Sequence, residues 1–387
     1  MDTNYDFNQI VERRGSGCVK YDTVREDLIP LWVADMDFKT PDFIIDAIRR
    51  RLECPVLGYP CIPDDYFSTI ARWVKEIHGW DVQPEHICYV PGIVKGIAQA
   101  ECALLHKGGK VIIQPPVYHP FRIVSEKLGM EVLYNPLKEN SNGEYEMDFN
   151  SLVECIEQGG EMLVLSNPQN PSGQCWPEDT LRRLARITSE RGVVVLSDEI
   201  HCEMAHKGFK HIPYASVSPE AVSNSITFMA PSKTFNIAGV VSSYAIVQDE
   251  TLRRKFFGHM EATELDYPSI FSIEATMAAY REGALWRSRM LEYVEDYISY
   301  VCTFIKENIP AIKANAPQAS FLMWLDCRAL NLPQPELMRL LEEKAGLYLN
   351  DGTMFGQEGE GFVRLNVGCP RSTLEKAMHK LALALNV

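Results

Sequence analysis

Short apolar runs alternate with longer amphipathic stretches through the middle of the chain. The runs lie at Ile87–Val90, Lys110–Gln114, Glu131–Tyr134, Met162–Ser166, Val193–Ser197, Ser225–Met229 and Ser243–Val247. Between them, Gly92–Leu105, Pro120–Gly129, Phe149–Gln158 and Pro177–Arg191 carry helical periodicity. The runs are continuous in Val, Ile and Leu, as a strand buried on both faces requires. Strand, helix, strand at this rhythm predicts βαβ units and an α/β fold: a large domain whose mostly parallel, seven-stranded sheet is covered by helices.

After about residue 283 the texture changes. A helical pattern over Ala284–Asn308 carries Trp286, Met290, Tyr293, Tyr297 and Val301 at three- and four-residue intervals, and Pro310 and Pro317 then break the chain. Strand patterns at Phe321–Leu325 and Gly361–Val367, with helices at Pro335–Lys344 and Ser372–Leu385, predict a smaller α+β domain. The segment before about residue 50 is expected to pack with it. The expected division is therefore 50–283 for the large domain, and 1–49 with 284–387 for the small one. No internal repeat or flexible linker interrupts the chain.

Composition narrows the class without naming a function. With 46% hydrophobic and 23% charged residues in 387, the chain can bury a sizeable core. A net charge of −14 argues against a broad nucleic-acid surface and is read as solubility. The eleven cysteines are odd in number and form no CxxC pair. The opening MDTNYDFNQI lacks the basic and apolar regions of a secretion signal, and no apolar stretch approaches the ~18 residues of a membrane span. The expectation is a cytoplasmic protein with free, mostly buried thiols, and without membrane or nucleic-acid partners.

Chemistry concentrates in three segments, each just beyond an apolar run: SNPQNPSG at Ser166–Gly173, SDEIH at Ser197–His201 and APSKTFN at Ala230–Asn236. Asp198 stands 28 residues after Asn170, and Lys233 stands 35 after Asp198. An amide, a carboxylate, an imidazole and a lysine in this order suit the capture of pyridoxal phosphate. Lys233 can form a Schiff base with the aldehyde, and desolvation would favour its nucleophilic amine; a surface lysine is the bland alternative. Asp198, at a strand end where ligands of parallel sheets bind, can hold the pyridine nitrogen protonated; a helix N-cap is the alternative. His201 can reach the ring oxygen or serve as a structural histidine. Asn170, held extended by the following proline, is placed on the ring oxygen, and Asn167 is read as structural. Pro91-Gly92-Ile93-Val94 opens a helix whose Ile93 and Val94 N–H groups can meet a phosphate, with the Ser232 hydroxyl as a further donor. Tyr118, in PPVYHPF, can stack on the ring or pack in the core. Arg364 can clamp a substrate carboxylate bidentately, with Arg371 as a rival and a polar outer face as the bland reading. His201, His206 and His211 lack the spacing and companions of a metal site, and no metal is expected. No nucleotide-binding glycine motif is present.

Along essentially its whole length the chain resembles the fold-type I pyridoxal-phosphate enzymes of the class I/II aminotransferase family. It is most similar to the MalY/PatB-type cystathionine β-lyases. The carriers are WVADMDF at Trp32–Phe38, GYP at Gly58–Pro60, QPPVYHPF, SNPQNPSG, SDEIH, SKTFNIAG, LMWLDCR at Leu322–Arg328 and RLNVGCPR at Arg364–Arg371. The resemblance implies a cofactor domain, a small domain made from both termini, and a homodimer with shared active sites. It implies Lys233 as the Schiff-base lysine, Tyr118 as the stacking ring and Asn170 with Asp198 as ring contacts. Tyr59 would reach the phosphate of the neighbouring subunit's cofactor, Arg364 would take the substrate carboxylate, and Ala34 of WVADMDF would lie on the substrate side. Typical aminotransferases carry a tyrosine where this chain has His201, an arginine at Val241, and a phosphate-binding serine at Ala230.

The departures at His201 and Val241 favour β-elimination from a sulfur amino acid such as cystathionine or cysteine over transamination, which shares every step through the carbanion; the one at Ala230 leaves part of the phosphate shell unassigned. A low-turnover regulatory protein on the same fold is the third reading.

Overall fold

The computed structural model describes residues 5–385. Its central strands are β1 (Ile87–Val90), β2 (Lys110–Ile113), β3 (Glu131–Tyr134), β4 (Gly160–Ser166), β5 (Val194–Asp198), β6 (Ser225–Met229) and β7 (Ser243–Ile246). They form one seven-stranded sheet in the order β1-β7-β6-β5-β4-β2-β3. Neighbours from β3 through β6 pair in parallel, and β7 runs against both β1 and β6. The expected seven-stranded, mostly parallel α/β sheet is therefore present.

Alternate residues of β4 show why its run is unbroken and apolar from Met162 to Leu165. Met162 and Val164 join a cluster with Val90, Ile97 and Phe228. Leu163 and Leu165 join a different one, with Leu152, Leu181 and Leu184. Both faces are thus in apolar contact, each such side chain contributing roughly 1.5–3 kcal/mol on burial. The helix Ile93–Leu104 settles closely on this sheet because residue 96 is glycine: a Cβ there would lie 2.7 Å from the Phe228 ring.

Four further strands, β8 (Lys313–Ala314), β9 (Leu322–Asp326), β10 (Asn350–Asp351) and β11 (Phe362–Asn366), make an antiparallel sheet in the order β8-β9-β11-β10. Every residue of β11 is buried, so the polar outer face considered for Arg364 does not exist. Near the N-terminus, Ile29–Pro30 pairs in parallel with Leu347–Tyr348. The helix Asp42–Leu52 runs through position 50 and packs on the helix Ile270–Glu282. One apolar cluster includes Ile44, Met229, Trp286, Leu325 and Leu365, so the two sheets share a continuous core. All eleven cysteines are free thiols, and no described helix is long and apolar enough to cross a membrane.

Candidate active site

The parallel strands deliver their carboxyl ends to one edge, and the chemistry-bearing segments follow there. Ala34, Ile93, Val94, Tyr118, Asn170, Asp198, His201 and Lys233 line a single cavity at that edge. Arg364 reaches it from β11 through a hydrogen bond to Asn170. Ser232 is buried next to Lys233 without lining the cavity, and Tyr59 is fully exposed, at 105%, away from it.

Lys233 sits on the turn after β6. Its Nζ donates to the Ala34 carbonyl at 2.5 Å. The cavity opens on this side chain, but the surrounding protein strips most of its solvent. That desolvation lowers the ammonium pKa to about 8; Asp35 and Asp198 oppose the drop and Arg364 adds to it. Near neutrality a usable fraction of the amine is unprotonated.

Asp198 ends β5, and its carboxylate accepts from the Ile200 N–H at 3.1 Å. Burial raises its pKa to about 7, against that hydrogen bond and the charge of Lys233. No cation forms an ion pair with it among the described residues. A buried carboxylate so placed is costly unless something cationic arrives.

Arg364 obeys the mirror rule. Its Nη1 donates to Asn170 Oδ1 at 2.9 Å, and its Nη2 donates to Asn350 Oδ1 at 2.6 Å and to the Trp32 carbonyl at 3.0 Å. The guanidinium lies 5.0 Å from the centre of the Phe355 ring, and its buried Nε has no partner. Desolvation lowers its pKa to about 10. A charge held only by neutral oxygens and a ring is prepared for an anion. Since arginine can only donate, Asn170 must turn its oxygen to Arg364, which leaves its Nδ2 to donate into the cavity.

Gly92 caps the helix Ile93–Leu104 at φ 107° with no side-chain cap, so the first N–H groups lack intrahelical partners. His201 is buried, and desolvation with the charges of Lys233 and Arg364 drives its pKa well below the usual histidine range. Its neutral ring meets the Ser320 hydroxyl through Nδ1 at 3.1 Å. Val241 is partly exposed in a left-handed conformation.

The residue types alone did not reveal what holds these groups in place. Asn236 grips the Trp32–Phe38 segment, accepting from Met36 N–H and donating to the Met36 and Phe38 carbonyls. Asn366 donates to the Val33 and Asp35 carbonyls. Between these clamps the Ala34 carbonyl is presented to Lys233. Both asparagines lie inside quoted motifs, so the signal was present without a partner to give it meaning. Asn350, which orients Arg364, lies in no motif, and Asp35 approaches Lys233 only through the fold.

A cofactor with an aldehyde, a cationic ring nitrogen and a phosphate meets a suited group at each point: the poorly solvated amine of Lys233, the cation-free carboxylate of Asp198 and the open helix terminus at Ile93 and Val94. The fold and this cavity define the class of pyridoxal-phosphate enzymes. The chain belongs to the class I and II aminotransferase family, whose model matches residues 26–381. It is 38% identical to cystathionine beta-lyase PatB of Bacillus subtilis (strain 168), covering 98% of this chain and 100% of that protein. It is 31% identical to protein MalY of Escherichia coli (strain K12), covering 98% and 99% of the two. The pyridoxal-phosphate-bound C–S lyase of Staphylococcus hominis superposes with a TM-score of 0.90 at 32% identity, covering 98% of this chain and 99% of that one.

Proposed function

We propose that this protein is a pyridoxal-phosphate-dependent C–S β-lyase that releases pyruvate, ammonia and a thiol from a sulfur amino acid of the cystathionine or cysteine type. The full-length relation to PatB, named a cystathionine β-lyase, carries the choice of lyase over transaminase. The geometry up to Cα proton removal serves both. When bound, pyridoxal phosphate supplies the electron sink that makes the Cα proton removable. Arg364 binds the substrate carboxylate and, with Asn170, fixes how the Cα–H bond points. The Lys233 amine takes that proton. The Cβ–S bond then breaks with its electron pair leaving on sulfur. When the cofactor is bound, Asp198 would balance the ring's positive charge and Tyr118 would cover one of its faces.

The exposed stretch bearing Val56, Leu57 and Tyr59 supports a homodimer in which Tyr59 serves the neighbouring cofactor's phosphate. We also propose a cofactor-bearing unit at 50–283, a smaller unit from 1–49 with 284–387, and a cytoplasmic location.

The test is incubation of cofactor-loaded protein with L-cystathionine and no keto acid. Sustained release of pyruvate and thiol supports the lyase. A single turnover that only a keto acid restores identifies an aminotransferase instead.

A further inference from the structure

A second cleft, of ≈ 460 Å³, opens between the segment that follows β2 and the turn that follows β10. Tyr118 belongs to the walls of both this cleft and the lysine cavity, so the two adjoin across one ring. Its wall includes Phe355, the ring on which the Arg364 guanidinium rests. The two segments are tied where Val117 N–H donates to the Phe355 carbonyl at 2.8 Å. A substrate with its carboxylate on Arg364 and its Cα beside Lys233 has only its side chain left to place, and the cleft is the neighbouring space, sharing Tyr118 with the lysine cavity and Phe355 with the Arg364 guanidinium.

The polar groups of the cleft carry both signs. One segment supplies the Arg122 cation, with the His119 ring beside it kept neutral by burial and by the charges of Arg364 and Arg122, and the other supplies Glu358. His119 packs edge-on against Phe355, with ring centres 6.1 Å apart, and its buried Nδ1 has no hydrogen-bond partner. Arg122 is engaged by Glu126 at 2.9 Å, in an exposed pair that an incoming carboxylate can replace.

We propose that this cleft binds the half of the substrate that departs with sulfur, and that it is built for a second, zwitterionic amino-acid group. The carboxylate of that group lies toward His119 and Arg122, and its ammonium toward Glu358. This rests on the lyase reading above. A thiol with a short alkyl tail engages none of the three, so the cleft separates long, doubly charged thioethers from short ones that share the same scissile bond.

The experiment compares L-cystathionine with S-methyl-L-cysteine on cofactor-loaded wild type, R122Q and E358Q. Two quantities are read: kcat/KM for pyruvate release, and the apparent Kd from the absorbance change of the bound cofactor. Each variant is expected to lower the cystathionine-to-S-methylcysteine preference about tenfold in both quantities, the cost of leaving a charged group unmatched. A preference that stays within about twofold of wild type in both variants overturns the subsite. If wild type releases pyruvate from neither thioether, the lyase reading fails, while the Kd preference still decides whether the cleft reads the distal group.

Discussion

Two clusters of enclosed charge lie on either side of residues 34–36, and they follow opposite rules. In the N-terminal one every charge has its opposite. The fully buried Lys20 is 2.9 Å from Asp37, and Arg13 is 2.6 Å from Asp37 and 2.7 Å from Asp35. In the cavity, Lys233, Asp198 and Arg364 hydrogen-bond only to a carbonyl, an N–H and neutral amide or peptide oxygens. Satisfied charges fix a segment in place, whereas charges left without a counterion mark where a charged ligand is received. Substitutions in the two places should therefore fail differently, one in stability and the other in turnover.

The largest expected effect is on the paired side. Lys20→Met leaves Asp35 and Asp37 facing Arg13 alone, and removing one partner of a buried pair costs about 3–5 kcal/mol. The urea midpoint should fall with an unchanged m value. A loss below ~1 kcal/mol would mean that apolar packing, not this network, holds residues 32–38.

Asp198→Asn is the counterpart. Turnover should fall on the order of 10²–10³-fold, as when a preorganised electrostatic partner is removed. The cofactor-free protein should become more stable. The Asp198 carboxyl ionises near pH 7 in the fold against 3.8 for the free group, so ionisation is opposed by folding and erodes stability as pH rises between those values. The amide should therefore stabilise the cofactor-free protein by up to a few kcal/mol at pH 8 and hardly at all at pH 4. Thermal unfolding at both pH values reads this. A variant that is less stable at pH 8 would place Asp198 among the paired, structural charges.

Arg364→Lys tests the same side with less disruption. A point-charge ammonium cannot meet Asn170, Asn350 and the Trp32 carbonyl with one fork. KM should rise about tenfold, with kcat falling less, in steady-state assays of pyruvate release. An unchanged KM would shift the carboxylate role to another arginine.

The contrast also explains what could be read from the sequence. Asp198 ends a buried strand, and Asn170 and Lys233 follow two others within four residues, so a largely apolar run closing on a polar segment announced sheet, edge and chemistry together. Arg364 was ambiguous because alternation in β11 suggested one outer face, whereas β9 and β10 pair on either side of it and every position is enclosed. The Arg13–Lys20–Asp35–Asp37 network was invisible. Its residues come from a segment without periodicity, and their pairing spans up to 24 positions. Asn350 was missed for the same reason: it meets Arg364 across β10 and β11, a contact that no local pattern records.

Asp35 belongs to both clusters, and it sharpens the comparison with the smallest effect. Its carboxylate pairs with Arg13, and its charge is the strongest of those that hold the Lys233 proton on. If the clusters were independent, Asp35→Asn would cost only its share of the network, about 1 kcal/mol. The geometry adds a second consequence. With that negative charge gone the ammonium is less favoured, so the Lys233 pKa should fall further below about 8. The pH dependence of reductive methylation of Lys233 in cofactor-free protein, read by mass spectrometry of its peptide, measures that shift directly. A lower midpoint together with a small stability loss would make the N-terminal cluster a support that also sets the charge state of the lysine it faces. A stability loss with an unmoved midpoint would confine Asp35 to holding the Trp32–Phe38 segment, and the two clusters would share a boundary without sharing an energy.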